Sequence, residues 1–274
     1  MLSWSQALLL GTGLIAGAVL VRRGPARLRW AADYLREAAV LSGLYAAWQI
    51  LLDHLATRTA GAVGHGRWVA RVERDLHWPG EAWFQHPFLH HPVLGRAADV
   101  YYGAAHFTVM GIFLAWIFAR HRDAYRRARG RLVLVTLAAA LIQAVPVAPP
   151  RLVPGVGVVD VARHFGQSVY DPGGLADPGQ LIAMPSVHVA WAGVVALSAV
   201  QAATRSRGRW LGPLHLAVTV AVVVGTGNHW WMDGAVALAL LALAVPGEAA
   251  LRRLPAPLAP GLSRSWRAPA GARR

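Results

Sequence analysis

The chain has 274 residues, 55% of them hydrophobic and only 15% charged, with a formal net charge of +14. A soluble globular domain cannot hide that much apolar surface, so the composition excludes an ordinary water-soluble fold and points to a bilayer. Every basic side chain is Arg and there is no Cys, which excludes both a disulfide framework and a thiolate metal site.

In chain order, seven apolar stretches approach the ~20 residues that cross the hydrocarbon core as a helix. They run Trp4–Val21, Ala31–Leu52, Ala98–Ala119, Leu132–Val147, Val187–Ala203, Trp210–Gly225 and Trp230–Val245. The predicted fold is therefore an all-α, polytopic membrane helical bundle of about seven spans. The second stretch is the weakest, because Arg36 and Glu37 interrupt it. The first lacks a basic leader and is followed by Arg22 and Arg23, so it reads as a retained anchor and not as a cleaved signal.

The Arg residues fall in four segments that lie on one side if seven spans alternate. These are the linker with Arg22, Arg23, Arg27 and Arg29, the linker from Arg120 to Arg131, the turn from Arg205 to Arg209, and the tail from Arg252. Because cytoplasmic loops retain positive charge, the N-terminus is placed outside and the C-terminus in the cytoplasm. The same bias accounts for the net charge without nucleic acid as a partner. The Arg-rich, Lys-free composition fits a GC-rich bacterial genome and hence a plasma membrane. The expected organisation is an anchor and basic linker over residues 1–30, a catalytic membrane domain over 31–246, and a basic tail over 247–274, expected to be disordered from Pro246 onward.

Polar residues abut the apolar stretches in three places, all on the predicted outer face. The first is Pro146-Val-Ala-Pro-Pro-Arg151-Leu, where prolines stop the helix and leave Arg151 at the membrane surface, a planar fork of donors suited to phosphate. The second is Met184-Pro-Ser186-Val-His188, where Ser186 reads as an N-cap and His188 falls in the first turn, beside free backbone N–H groups that attract anions. The third is Gly225-Thr226-Gly-Asn228-His229-Trp-Trp-Met-Asp233. On a helix, His229 and Asp233 share a face, so the carboxylate can fix the imidazole's tautomer and leave its other nitrogen free. Taken singly, these are also an interfacial Arg, a capped helix with an incidental His, and an aromatic belt at Trp230 and Trp231. An Asp at the start of a span, however, is a functional hypothesis by default.

Together, Arg151, Pro185-Ser-x-His188 and His229-x-x-x-Asp233 resemble the phosphatidic acid phosphatase type 2 (PAP2) superfamily. The wording Pro-Pro-Arg-Leu, Met-Pro-Ser-x-His and Asn-His-x-x-x-Asp is most similar to its inositolphosphotransferase-like branch. Tyr101 to His106 resembles a family segment further upstream, so the likeness covers residues from about 70 to 245. It implies an integral membrane lipid-phosphate phosphatase or phosphotransferase acting at the extracytoplasmic face, on a lipid phosphate or phospholipid, without metal or cofactor. His229 is then the nucleophile, Asp233 its orienting partner, His188 the general acid and base, and Arg151 and Ser186 phosphate ligands. The chain departs from the usual pattern at Ala144, where the first motif has Lys, at Val223, where the third has Arg, and at Val187, where the second has Gly. Arg163, His164, Asn228 and Thr226 are the candidates to replace the missing cations.

The remaining histidines of the outer loop, His65, His77, His86, His90 and His91, follow no spacing typical of metal ligands. The segment Arg67–Leu76 is amphipathic and is expected on the membrane surface, roofing the site, with Glu73 or Glu81 near the substrate headgroup. Two other readings stand beside the enzyme: a transporter for a polar lipid or small anion, which the scarcity of polar residues in the cytoplasmic half opposes, and a non-catalytic assembly protein.

Overall fold

The computed structural model describes residues 3–55, 59–167, 178–204 and 206–253, and these are helical with no strand. The helix α1 (Trp4–Arg23) opens on a capping box in which Ser3 and Gln6 satisfy each other's backbone N–H. It packs along α2 (Arg29–Leu55). Then follow α3 (Ala62–Asp75), α4 (Glu81–His90) and α5 (Pro92–Val100). A π-helical turn over Tyr101–Ala105 joins α5 to α6 (His106–Arg120). The rest is α7 (Arg122–Gln143), the one-turn α8 (Val161–His164), α9 (Val187–Ala202), α10 (Leu211–Gly225) and α11 (Trp231–Arg253).

A helix occupies each of the seven apolar stretches. Four are long and apolar enough to cross a membrane: Trp4–Arg23, Pro92–Arg120, Arg207–Gly225 and Trp231–Arg253. The helix α9 is apolar but shorter, and α2 and α7 fall outside that set. In α7 only the part after Arg131 is free of charge.

The centre of the bundle is α9, against which α6, α7, α10 and α11 pack. Its sequence is apolar all round, the pattern of a helix enclosed on every side, and Val189, Ala190, Ala192, Val194 and Val195 are all buried. All but Ala192 join Ile117, Val135, Val223 and Ala237 in one core. At Gly212 a Cβ would come within 2.9 Å of Ala196 and Ala199, so α10 crosses α9 at backbone contact, the small-residue packing usual between membrane helices. A second core lies at one end of the bundle, where Val69 of α3 meets Ala148, Val153, Leu181 and Trp230. The buried residues of α3 are Ala62, Gly66, Val69 and Glu73, one stripe at helical spacing.

Three expectations change. The segment from Arg122 to Arg131 is not a linker but the first turns of α7, with Tyr125 and Ala128 buried. The helix α11 runs through Pro246 to Arg253, so the expected boundary at 246/247 falls inside a helix. Glu248 holds this last turn, packed over Gly130 and paired with Arg252, while the tail beyond 253 lies outside the described residues. Trp230 is no belt residue, for it is 1% exposed and its indole N–H donates to the Ala148 carbonyl at 2.9 Å.

Candidate active site

Four helix ends meet at one end of the bundle: the close of α7, the start of α9, the close of α10 and the start of α11. Backbone pairing gathers the connecting segments there. Val147 N–H donates to Leu181 and Ala183 N–H donates to Val147, at 2.7 and 3.0 Å, joining the proline-rich segment to the one that leads into α9. Ser186 N–H donates to the Asp233 carbonyl at 3.1 Å, tying the start of α9 to α11. Arg151 N–H donates to the Gly227 carbonyl at 3.1 Å. Gly227 has φ +76°, a conformation few other residues adopt without strain, and a Cβ there would lie 2.8 Å from Val158 and 3.2 Å from Arg151.

His229 and Asp233 do not share a helix face, because His229 lies just ahead of α11 and Asp233 in its first turn. They still meet. The His229 Nδ1–H faces Asp233 Oδ2 at 3.1 Å and the Ala183 carbonyl at 2.9 Å. Both are acceptors, so the proton belongs on Nδ1 and the lone pair on Nε2. Asp233 is fully buried, and its Oδ2 also accepts the Trp230 N–H at 2.9 Å, the reach-back of an N3 acid toward the helix start. One carboxylate thus caps α11 and orients the imidazole.

Ser186 caps α9 as expected, its Oγ accepting from Val189 N–H, and His188 sits in the first turn. The His188 and His229 rings lie 5.9 Å apart between centroids at 60°. His188 is itself held between two rings, stacked on Tyr102 at 4.4 Å and beside His106 at 4.5 Å. Both come from the π-helical turn and its end, and π-bulges are frequent at functional sites.

The side chain of Arg151 is 3% exposed. Its Nε donates to Asn228 Oδ1 at 2.9 Å and its Nη2 to Gln180 Oε1 at 3.3 Å, with Asp160 Oδ2 3.9 Å from Nε. Asn228 Nδ2 in turn donates to Thr226 Oγ1 at 2.8 Å, and Thr226 donates to the Val222 carbonyl at the end of α10. Asn228 and Thr226 therefore aim the guanidinium, and the missing cations are not made good by them. Arg163 is exposed on α8, its backbone N–H bonded to Asp160, and His164 is exposed beside Phe165. Arg151, Asn228, Thr226, Ser186, His188, His229 and Asp233 are brought to one place, while Arg163 stands outside that buried group.

Several residues that shape the site carry only a weak signal in the sequence. Gln85 of α4 is fully buried, exchanges bonds with Val159 at 2.7 and 2.8 Å and reaches the Gly225 carbonyl, so it fixes the strand-like run to Asp160 against the end of α10. Its signal was only a polar residue inside an apolar helix. Tyr102 and His106 lay within the upstream segment Tyr101–His106, and a π-turn has no sequence signature that would have pointed them at His188. The outer-loop histidines go elsewhere: His65 bonds the Pro146 carbonyl at 2.7 Å, and His86 stacks on His90. Among the described residues no group of three or more His, Asp or Glu assembles to hold a metal ion.

A bundle with four helices long and apolar enough to cross a membrane closes over a His–Asp pair, a second His and a buried Arg, side chains whose chemistry suits anions and proton transfer. The profile of the PAP2 superfamily matches residues 67–246, more than half of the chain, and includes every residue of that site. The chain belongs to the PAP2 superfamily, a family of phosphatases. No curated protein and no solved structure matches it.

Proposed function

We propose that the protein is a lipid-phosphate phosphatase or phosphotransferase that works through a phosphohistidine on His229. The observation that carries this is the pair of acceptors on His229 Nδ1, which leaves Nε2 as the nucleophile. Nε2 attacks phosphorus, an N–P bond forms, and the ester P–O bond breaks. The leaving oxygen takes its proton from His188. His188 then removes a proton from water or an alcohol, whose oxygen attacks phosphorus and releases His229. Arg151 and the free N–H groups in the first turn of α9 hold the phosphoryl oxygens, preorganised as charge develops.

A lipid-borne substrate is supported by an apolar cavity of about 500 Å³ between α2, α6, α7 and α9, within the usual range for ligand pockets. Trp191 lines it and stacks on His106, which packs on His188, so the cavity adjoins the second histidine. We place the site on the extracytoplasmic side, with all seven helices crossing, because the Arg-rich helix ends lie at the opposite end of the bundle.

Transfer to a lipid acceptor, as in the inositolphosphotransferase-like branch, is the second reading. Asp99 favours it: the side chain is fully buried, both carboxylate oxygens lack a partner among the described residues, and Arg151 and Asp160 are the charges that act on it. Such acceptors suit a hydroxyl-bearing group.

The test is to incubate the purified protein with a panel of lipid phosphates and phosphoinositol donors, measuring free phosphate against new lipid product. Labelled phosphohistidine should form in the wild type and vanish in His229→Ala. Label persisting in that variant would sink the proposal.

A further inference from the structure

A pair of buried acids lies outside the machinery just described. Glu73, in the last turns of α3, is 3% exposed, and Glu81, the first residue of α4, is 9% exposed. A tight turn brings them together: His77 takes φ +56° and Trp78 N–H donates to the Glu73 carbonyl at 2.9 Å. Glu73 Oε1 then reaches 159 residues along the chain to accept the Met232 N–H at 2.6 Å. Met232 is in the first turn of α11, where backbone donors have no partner within the helix. The other oxygen, Glu73 Oε2, is buried without a donor, and so is Glu81 Oε1, although the two side chains are within hydrogen-bonding reach of each other. Two carboxylates cannot satisfy one another, but one proton between them removes both vacancies.

We propose that Glu73 and Glu81 share a proton, so that Glu73 is an uncharged cap on α11 and a positioning residue for Asp233 and His229. Glu73 Oε2–H donates to Glu81, while Oε1 accepts from Met232. The arrangement fixes the first turn of α11, in which Asp233 reaches back to Trp230 and across to His229. It also removes one negative charge from beside Asp233, in a site whose buried cation is Arg151 and whose ligand is an anion. The charged groups facing Glu73 are Glu81 from α4 and Asp233 from α11. Burial foremost, then the hydrogen bond and charge of Glu81, push the Glu73 carboxyl up to about 9, with the Met232 N–H pulling the other way. A folded-state value raised above the ordinary glutamate range means stability present at low pH and lost as pH rises toward that value.

This rests on His229 being the reacting group, so the experiment has one arm that needs no turnover. Infrared spectra of the detergent-solubilised protein at about pH 7 should contain a protonated carboxylic acid band that Glu73→Gln removes. A band unchanged by that substitution overturns the shared proton whether or not any substrate is found. In the activity arm, the wild-type rate should fall as pH approaches about 9. Glu73→Gln, which keeps the acceptor for Met232 and a donor for Glu81, should flatten that fall. Glu81→Gln should move it to lower pH, because the neighbouring charge no longer opposes ionisation of Glu73. Glu73→Ala should lose kcat about tenfold or more with KM nearly constant. An alkaline limb that survives in Glu73→Gln, or a Glu73→Ala enzyme with the wild-type kcat, overturns the positioning role.

Discussion

The two ends of the bundle use the same residue types in opposite ways. At the end where α9 and α11 begin, His229, Asp233, Asn228 and the Arg151 side chain are all but sealed from solvent, and carbonyls and amides of distant segments hold them. At the other end, Arg129 pairs with Glu37 at 2.6 Å, Arg131 bonds Gln201 at 2.8 Å and Arg252 pairs with Glu248. There the cations outnumber the acids, and most reach the surface. Burying a charge is costly unless it is paired and hydrogen-bonded, and at the first end Arg151 and the His229–Asp233 pair are each held by several partners. Such fixed groups can act on a substrate. Half-exposed ones tie helices together.

The largest expected effect falls at the buried end. Asp233→Asn keeps the shape and removes the charge, so the Asn can offer His229 an N–H and reverse the tautomer. Loss of a tautomer-fixing carboxylate costs about 10⁴-fold in kcat in hydrolytic triads, and a similar loss is expected in phosphate release. Retention of a tenth or more of the wild-type rate would show that the Ala183 carbonyl alone holds the ring. Arg151→Lys is next. Lysine keeps the charge but not the planar fork that spans Asn228 and Gln180, and a drop of about 10²-fold in kcat/KM is expected.

The sequence showed the helices clearly, because seven long apolar runs can hardly fold otherwise in a bilayer. The residues of the candidate site were legible for a related reason: Arg, Ser, His and Asp beside such runs are conspicuous. What stayed hidden depends on chain segments far apart. The π-turn that swings Tyr102 and His106 onto His188 involves no residue that demands it. Glu73 or Glu81 is expected from the sequence near the substrate headgroup, whereas the Glu73 carboxylate accepts the Met232 N–H at the start of α11. Asn228 and Thr226 looked like stand-ins for lost cations, whereas the fold uses them to orient the one Arg that remains. Arg163 carries the charge such a stand-in needs, but α8 leaves it exposed and outside the buried group.

Trp230 tests whether the buried end is also the rigid one. Trp230→Phe preserves most of the packing against Val69 and Leu181 but loses the bond to Ala148. The Ala148 carbonyl is left without that donor, a cost of about 1–3 kcal/mol, to be read from thermal unfolding in detergent. The backbone N–H of residue 230, which donates to Asp233 Oδ2, survives the substitution, so kcat should fall with stability only as loosening of the second core shifts that amide. A stable variant with unchanged kcat would mean that the second core does not brace the site.

The smallest effect belongs to the opposite end. Glu37 accepts from Arg129 and from Tyr125 at 2.8 Å, in a partly exposed cleft with Arg36, Arg122 and Arg126. Solvent screens such a pair, which is worth about 0–1 kcal/mol, so Glu37→Gln should shift unfolding by no more than that and leave kcat unchanged. The substitution removes one negative charge from the cluster on the proposed cytoplasmic side, and if anything it should strengthen the bias that orients the chain. A kcat change of several-fold in Glu37→Gln would mean that α2 and α7 carry strain from this cleft to the far end of α7, where Gln143 bonds the Pro185 carbonyl at 3.2 Å. The two ends would then have to be treated as one coupled unit.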